Sequence, residues 1–366
     1  MLGSTAVMIV RVVALHGLRR DPQVSEASCH GALVRFGLMK AWRLNELGYP
    51  WDVLELGEFP SPEPGRGQAR ITVEATDLNF ADILHCQGTY QERWNPPFTP
   101  GMGACGTVEA VGPECDLAVG DRVIGSGTAG WGGYASEALI RGSTARRIPD
   151  DVSIPAACAS NVIYGTAWFS LYRRGQMQAG ETVLVLAAAG GVGSAAVQMA
   201  KAAGCTVIAA AGGPAKVQTC RELGADVVID YDNDDLYQSV QDATGGRGCD
   251  IVYDPVGGKY FDVARRLVAW EGRLLVVGFA SGTIPQAPAN HLLVKNYSVV
   301  GVHMGGYRGR MDEVLEECYA ELWPQVADGR LDPLVSQELP LDGLIDGLRD
   351  LHERKTTGRV LLRPDL

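Results

Sequence analysis

The sequence predicts an α/β protein in two parts, an antiparallel β barrel and a doubly wound parallel sheet. Three observations predict it. Short alternating strands broken by Gly and Pro fill the first half, as in "QARITVEATD", "CGTVEAVG", "GDRVIGSG" and "GGYASEALI", the pattern of strands with one buried face. From about Asn161 the rhythm changes to continuous apolar runs: "TVLVLAA", "TVIAAA", "DVVID", "CDIVYDPV", "RLLVVGF" and "SVVGV", the first five followed by helix-length or loop segments. Strands buried on both faces and alternating with helices imply a parallel sheet with right-handed crossovers. The third observation is "AAAGGVGSAAVQMAK", three glycines set between the first of these strands and an alanine-rich helix.

Composition bounds the rest. A chain of 366 residues with 46% hydrophobic and 20% charged residues is globular and long enough for two domains. The formal net charge of −11 would repel a phosphate backbone, so no nucleic-acid partner is expected. Nine cysteines, an odd count without a C-x-x-C pair, suit reduced thiols in a cytoplasm. The apolar stretch "STAVMIVRVVAL" contains Arg11 and is followed by Arg19 and Arg20; it is too short for a membrane span and ordered wrongly for a signal peptide. Residues 1–38 are expected to be a poorly ordered extension, with the fold beginning at Met39. Past Val302, "MDEVLEECYAELWPQVADG" and "DGLIDGLRDLHERK" read as helices and "GRVLLRP" as a closing strand.

The glycine-rich stretch carries the first functional expectation. Ala188, Gly190 and Gly193 fill a G-x-G-x-x-G frame with Ala at its first position, with Gly191 and Val192 between. After a strand and opening a helix, such a frame turns the chain sharply, lets the backbone approach a pyrophosphate and packs helix on sheet, while the helix N-terminus offers N–H groups and a positive dipole. A ligand-free tight turn is the competing reading. An NAD site places Asp or Glu at the end of the second strand. Here "VIAAAGGPAK" ends on Ala211, Gly212 and Gly213, with Lys216 following. No carboxylate at that strand end and a base close by favour NADP, to which Tyr231 in "VVIDYD" could add its hydroxyl. Lys216 could also be an ordinary solvated lysine.

These segments, together with "DPVGG" at Asp254, "VVGFASG" at Val276 and "GDRV" at Gly120, resemble the zinc-independent NADPH:quinone oxidoreductases of the medium-chain dehydrogenase/reductase superfamily. The resemblance covers Met39 to the end. It implies a GroES-like barrel domain over 39–161 and 303–366, split by an inserted Rossmann domain over 162–302, with NADPH in the cleft. It further implies cofactor contacts from Asp254, Val277, Gly278 and Phe279, and a homodimer paired through the sheet edge at "SVVGVHMGG". The zinc-dependent alcohol dehydrogenases of the same superfamily carry a Cys ligand and a Gly-His-Glu stretch; here "ATDLNFAD" has no Cys, and Met102 and Gly103 stand where His and Glu would be. A metal-free site is therefore expected.

Without a metal, delivering hydride to a quinone or enone is easier than oxidising an alcohol, because the charge spreads into an enolate or phenolate that one hydrogen-bond donor can hold. By resemblance, Tyr90 faces the nicotinamide, Asn79 lies near nicotinamide and substrate, and the Thr166 hydroxyl meets the carboxamide. Structural packing, an Asx turn and a helix-end contact are their respective alternatives. Asp230, where relatives have Asn, is expected to face away from the phosphate. The favoured function is an NADPH-dependent reductase of quinones or related α,β-unsaturated carbonyls. The alternatives are an enoyl thioester reductase and a non-catalytic NADPH-binding protein.

Overall fold

The computed structural model describes residues 37–366 apart from 91, 92 and 129. The expected extension lies outside these residues but for its last two, and Leu38 already begins the first strand. β1 (Leu38–Leu44) and β2 (Leu54–Pro60), linked through the single-turn helix α1 (Pro50–Val53), pair antiparallel. β3 (Gln68–Asp77), β4 (Gly103–Val111), β5 (Arg122–Ser126), β6 (Glu137–Arg141) and β7 (Arg146–Arg147) form the antiparallel body of the barrel, with helix α2 (Phe80–Cys86) between β3 and β4. In β3 the buried Ala69, Ile71 and Val73 alternate with more exposed Arg70, Thr72 and Glu74, as a strand with one face on the core requires. The alternation stops at Ala75, Thr76 and Asp77, all buried, where the register with β4 shifts between Val73 and Ala75 and a later helix packs on the strand.

That helix is α3 (Ile154–Trp168), capped by Ser153, whose hydroxyl oxygen accepts the Ala156 N–H. It runs across the division expected at 161/162 and packs on β3 and β4, joining the two parts through one continuous core that includes Cys105, Ile124, Val183 and Val185.

The second half holds β8 (Thr182–Leu186), α4 (Gly191–Ala202), β9 (Thr206–Ala211), α5 (Pro214–Glu222), β10 (Val227–Asp230), α6 (Leu236–Thr244), β11 (Cys249–Asp254), α7 (Gly258–Leu267), β12 (Val268–Val276), α8 (Ala289–Lys295) and β13 (Ser298–Gly301). The six strands are parallel in the order β10-β9-β8-β11-β12-β13, the order of a doubly wound dinucleotide fold. Their unbroken apolar runs have a direct cause. In β8, Val183 and Val185 enter the core shared with α3 and α4, while Leu184 and Leu186 enter a second core with Phe261, Ala264 and Leu267 of α7. Both faces are covered, so Val183 to Leu186 are all apolar.

The chain then returns to the barrel through α9 (Asp312–Ala327), β14 (Val335–Pro340), α10 (Leu344–His352) and β15 (Arg359–Arg363). β15 pairs antiparallel with β3, setting Leu361 opposite Asp77. β14 had no signature in the sequence. It is an edge strand of mostly exposed residues ending in a proline, so no hydrophobic alternation marks it.

Candidate active site

The glycine turn follows β8 at the point where the strand order reverses between β8 and β11. Ala187 takes φ +49°, so the left-handed turn falls one residue before the position the motif assigns to its first glycine. Ala188 is buried, its N–H on the Ala210 carbonyl at 3.0 Å. Gly190 caps α4, and the first N–H bonded within the helix is that of Ser194, on the Gly190 carbonyl at 2.8 Å. The N–H groups of Gly191, Val192 and Gly193 thus have no acceptor in their own helix, the arrangement that receives a pyrophosphate. A Cβ on Gly193 would collide with the Ala187 carbonyl oxygen and lie 2.8 Å from the Ala188 Cα, so only glycine permits this helix to sit so close to its strand.

Across the switch point, Asp254 is buried and its carboxylate accepts the N–H groups of Val256 at 2.8 Å and Gly257 at 2.9 Å. Burial raises its carboxyl above the ordinary range. The Asp254 side chain shapes the "DPVGG" turn from inside, and its backbone carbonyl takes the N–H of Val277 at 2.9 Å. Val277 and Gly278 are half-buried and Phe279 is 40% exposed at the rim.

At the end of β9, Lys216 Nζ donates to the Arg354 carbonyl at 2.6 Å, and burial lowers the lysine's pKa. Arg354, with φ +60°, follows α10 and swings a second cation onto this corner, its guanidinium donating to the Ala280 carbonyl at 3.4 Å. The Tyr231 ring packs on Tyr260 at 4.9 Å, and burial pushes its phenol up to about 12. Asp230 does not face away. Its carboxylate turns onto the Gly213 N–H at 2.9 Å, because the N-terminus of α5 attracts an anion. Asp232 lies as close, 2.5 Å from where a Cβ on Gly212 would stand. The corner therefore carries two bases and two carboxylates.

On the barrel side, Asn79 opens α2 and its N–H donates to Asp82 Oδ2 at 3.0 Å. Asp82 Oδ1 takes the Met102 N–H at 3.0 Å. Asp82 is fully buried, and that burial, with the Asp77 charge nearby, raises its pKa to about 6. Asn79 Nδ2 donates to the Asp77 carbonyl at 3.3 Å, and Asn79 Oδ1 accepts from Arg359 at 2.9 Å. Arg359, 7% exposed, also forms a short ion pair with the buried Asp77. Tyr90 stands half-buried past α2, its ring 6.5 Å from that of His85, which in turn packs on Trp94 and Phe98. Thr166 is half-buried on α3, one turn from Ile163, and Ile163 and Arg359 both pack against Gly191.

Sequence reasoning missed Arg359 and Arg354. Arg359, at the head of the strand-like "GRVLLR", was a usable signal, since a charge at a strand position must find a partner when buried. Nothing local marks Arg354.

A glycine turn feeding a helix N-terminus at a switch point, faced by a polar node from a barrel, defines a dinucleotide-dependent oxidoreductase of two parts. Residues 65–150 match the family described as alcohol dehydrogenase GroES-like domain, and residues 191–320 that described as zinc-binding dehydrogenase. The chain belongs to the quinone oxidoreductase family of the medium-chain dehydrogenase/reductases. It is 41% identical over 297 residues to quinone oxidoreductase-like protein 2 of Bos taurus, covering 81% of this chain and 84% of that protein. Among solved structures, a mycobacterial protein complexed with NADPH superposes with a TM-score of 0.81 at 34% identity, covering 89% of this chain and 100% of that one. The Escherichia coli quinone oxidoreductase complexed with NADPH gives a TM-score of 0.81 at 30% identity over the same shares.

Zinc, which one of these family descriptions names, does not fit the residues present. Among the described residues no group of three or more His, Cys, Asp and Glu side chains is placed to hold a metal, and Met102 meets Asp82 through its backbone.

Proposed function

We propose that the protein is an NADPH-dependent, zinc-independent reductase of quinones or related α,β-unsaturated carbonyls. The observation that carries this reading is the Asn79 amide, held by hydrogen bonds at both ends in a node that packs on the glycine turn. It is a hydrogen-bond donor set where an alcohol dehydrogenase needs a Lewis acid. NADPH, the ligand of two structural neighbours, supplies the hydride when bound. The N–H groups of Gly191, Val192 and Gly193 hold its pyrophosphate, and Lys216, Arg354 and the Tyr231 hydroxyl hold its 2′-phosphate. Ala188 and Asp254 shape the turns on either side from within, Gly190 and Gly212 leave the backbone room, and Val277, Gly278 and Phe279 form the rim. The Thr166 hydroxyl orients the carboxamide. As charge builds on the substrate oxygen, Asn79 Nδ2 donates to it and the Tyr90 hydroxyl supplies the proton that completes the hydroquinone or ketone.

Purified protein mixed with NADPH and, in parallel, a quinone and an enoyl-CoA tests the reading. Faster consumption with the quinone, unaffected by chelators and with less than one zinc per several chains, is the expected result; stoichiometric zinc or reduction of the enoyl-CoA alone overturns it. We also propose a homodimer formed through β13, an edge strand, beside which Leu293 and Val294 of α8 are 82% and 75% exposed, an apolar surface typical of an interface. Light scattering giving a monomer mass would exclude it. No helix among the described residues is long and apolar enough to cross a membrane, and the thiol usage suits a cytoplasmic site.

A further inference from the structure

Asn79 and the glycine turn belong to different parts of the molecule, and one side chain, Arg359, touches both. Its Nη2 donates to both the Asp77 carboxylate and Asn79 Oδ1, while its Cδ would lie 3.0 Å from a Cβ on Gly191. Its own N–H donates to the Leu334 carbonyl at 2.7 Å, and that of Gly358 to the Ala189 carbonyl at 2.8 Å. The arginine is therefore fixed at its backbone, along its stem and at its head.

We propose that Arg359 is a positioning residue: it orients the Asn79 amide so that Nδ2, and not Oδ1, is presented to the substrate oxygen, and it ties that orientation to the cofactor turn. The proposal rests on the reductase reading, in which Asn79 meets the substrate. The chemistry leaves one orientation. A guanidinium has five N–H donors and no acceptor, so the amide end facing it must be the oxygen; a flipped amide would set donor against donor. Nδ2 spends one proton on the Asp77 carbonyl at 3.3 Å and keeps a second for a ligand. Asn79 cannot swing as a whole, because Asp82 holds its backbone N–H. Lysine, whose ammonium nitrogen ends one bond short of the Arg359 Nη2 position, cannot reach Asp77 and Asn79 together as Nη2 does.

Arg359→Lys, Asn79→Ala and the double variant test this in the full chain. The lysine variant is expected to keep its NADPH dissociation constant and quinone KM within about twofold while kcat falls about tenfold, as for a misplaced reacting group. Asn79→Ala alone should lose about a hundredfold in kcat, and adding Arg359→Lys to it should lose nothing more. The side-chain amide resonances of Asn79, identified by their absence from Asn79→Ala, should shift and broaden in Arg359→Lys without any ligand present. A kcat loss that persists on the Asn79→Ala background, a weakened NADPH complex with kcat intact, or unchanged Asn79 resonances would each overturn the proposal. Should Arg359→Lys not fold, the neutral pair Asp77→Asn with Arg359→Gln, whose shorter amide cannot span both partners, goes through the same comparison with the same deciding results. A wild type that reduces neither quinone nor enone defeats the reductase reading alone, since the resonance comparison needs no substrate and still decides the role of Arg359.

Discussion

The glycine turn and the Asn79 node are both touched by Arg359 but are specified in opposite ways. In the turn, the constraint on Gly193 comes from Ala187 and Ala188, six and five residues earlier. In the node, Arg359 meets Asn79 across 280 residues of sequence. The turn is a steric necessity of neighbours along the chain, whereas the node is a set of polar groups that become partners only after the barrel closes. The first should therefore fail by collision and the second by lost charge balance.

The largest effect is expected at the turn. Gly193→Ala places a methyl against the Ala187 carbonyl; overpacking of this kind typically costs about 1–3 kcal/mol and shifts backbone. NADPH binding should be lost and the melting temperature lowered by several degrees. At Gly190, where a Cβ meets only the Ala187 oxygen at 3.3 Å, Ala should be tolerated within a degree or two. Equal losses of melting temperature at the two positions, read by calorimetry, would break the steric account.

Next in size is the node's pH dependence. A carboxyl raised from 3.8 to about 6 by burial binds its proton more tightly folded than unfolded. Its contribution is fully present below pH 3.8 and is lost as pH rises through about 6, about 3 kcal/mol in all at ~1.36 kcal/mol per unit. Asp82→Asn, which cannot ionise, should gain on the wild type by about 1 kcal/mol between pH 5 and 7 in urea unfolding. A difference that does not change with pH would show that Asp82 stays ionised in the fold.

A third effect concerns the phosphate corner, which mixes the two kinds of specification. Lys216→Ala should lower kcat/KM for NADPH about ten- to a hundredfold and leave NADH nearly unchanged, since a charge-assisted hydrogen bond is worth roughly 1.5–3 kcal/mol. Tyr231→Phe should lose less. Equal losses with both cofactors would assign the lysine another role. Replacing Gly212 by Asp is a poor route to NADH preference, because the new Cβ would stand 2.9 Å from the Tyr231 ring and against Asp232.

The smallest effect tests the carboxylates beside those bases. On the proposed placing of the 2′-phosphate by Lys216 and Arg354, Asp232→Asn removes a like charge beside it and should tighten NADPH about two- to fivefold at low salt, fading at high salt. No change in the NADPH dissociation constant would mean that Asp232 points elsewhere when the cofactor is bound.

How much of this was legible follows from the range of the forces involved. The six strands of the sheet, the glycine turn and the barrel strands β3 to β6 could be read in order along the chain, because burial on one or both faces writes its period into local sequence. Lys216 and Tyr231 could be placed at one corner because they follow consecutive strands of a known order. The edge strand β14 could not be read, nor could the inward turn of Asp230, which depends on a helix end meeting it from another segment. The partnership of Asp77, Asn79 and Arg359 was the least legible. Each is a common residue in its own stretch, and only the pairing of β15 with β3 sets a buried positive charge against a buried negative one. Sequence determines where a chain must turn and which faces it must bury, since those demands arise between near neighbours. Which polar groups share a site was decided by the tertiary fold alone, because a hydrogen bond or ion pair between residues 280 apart leaves no periodic trace in either segment.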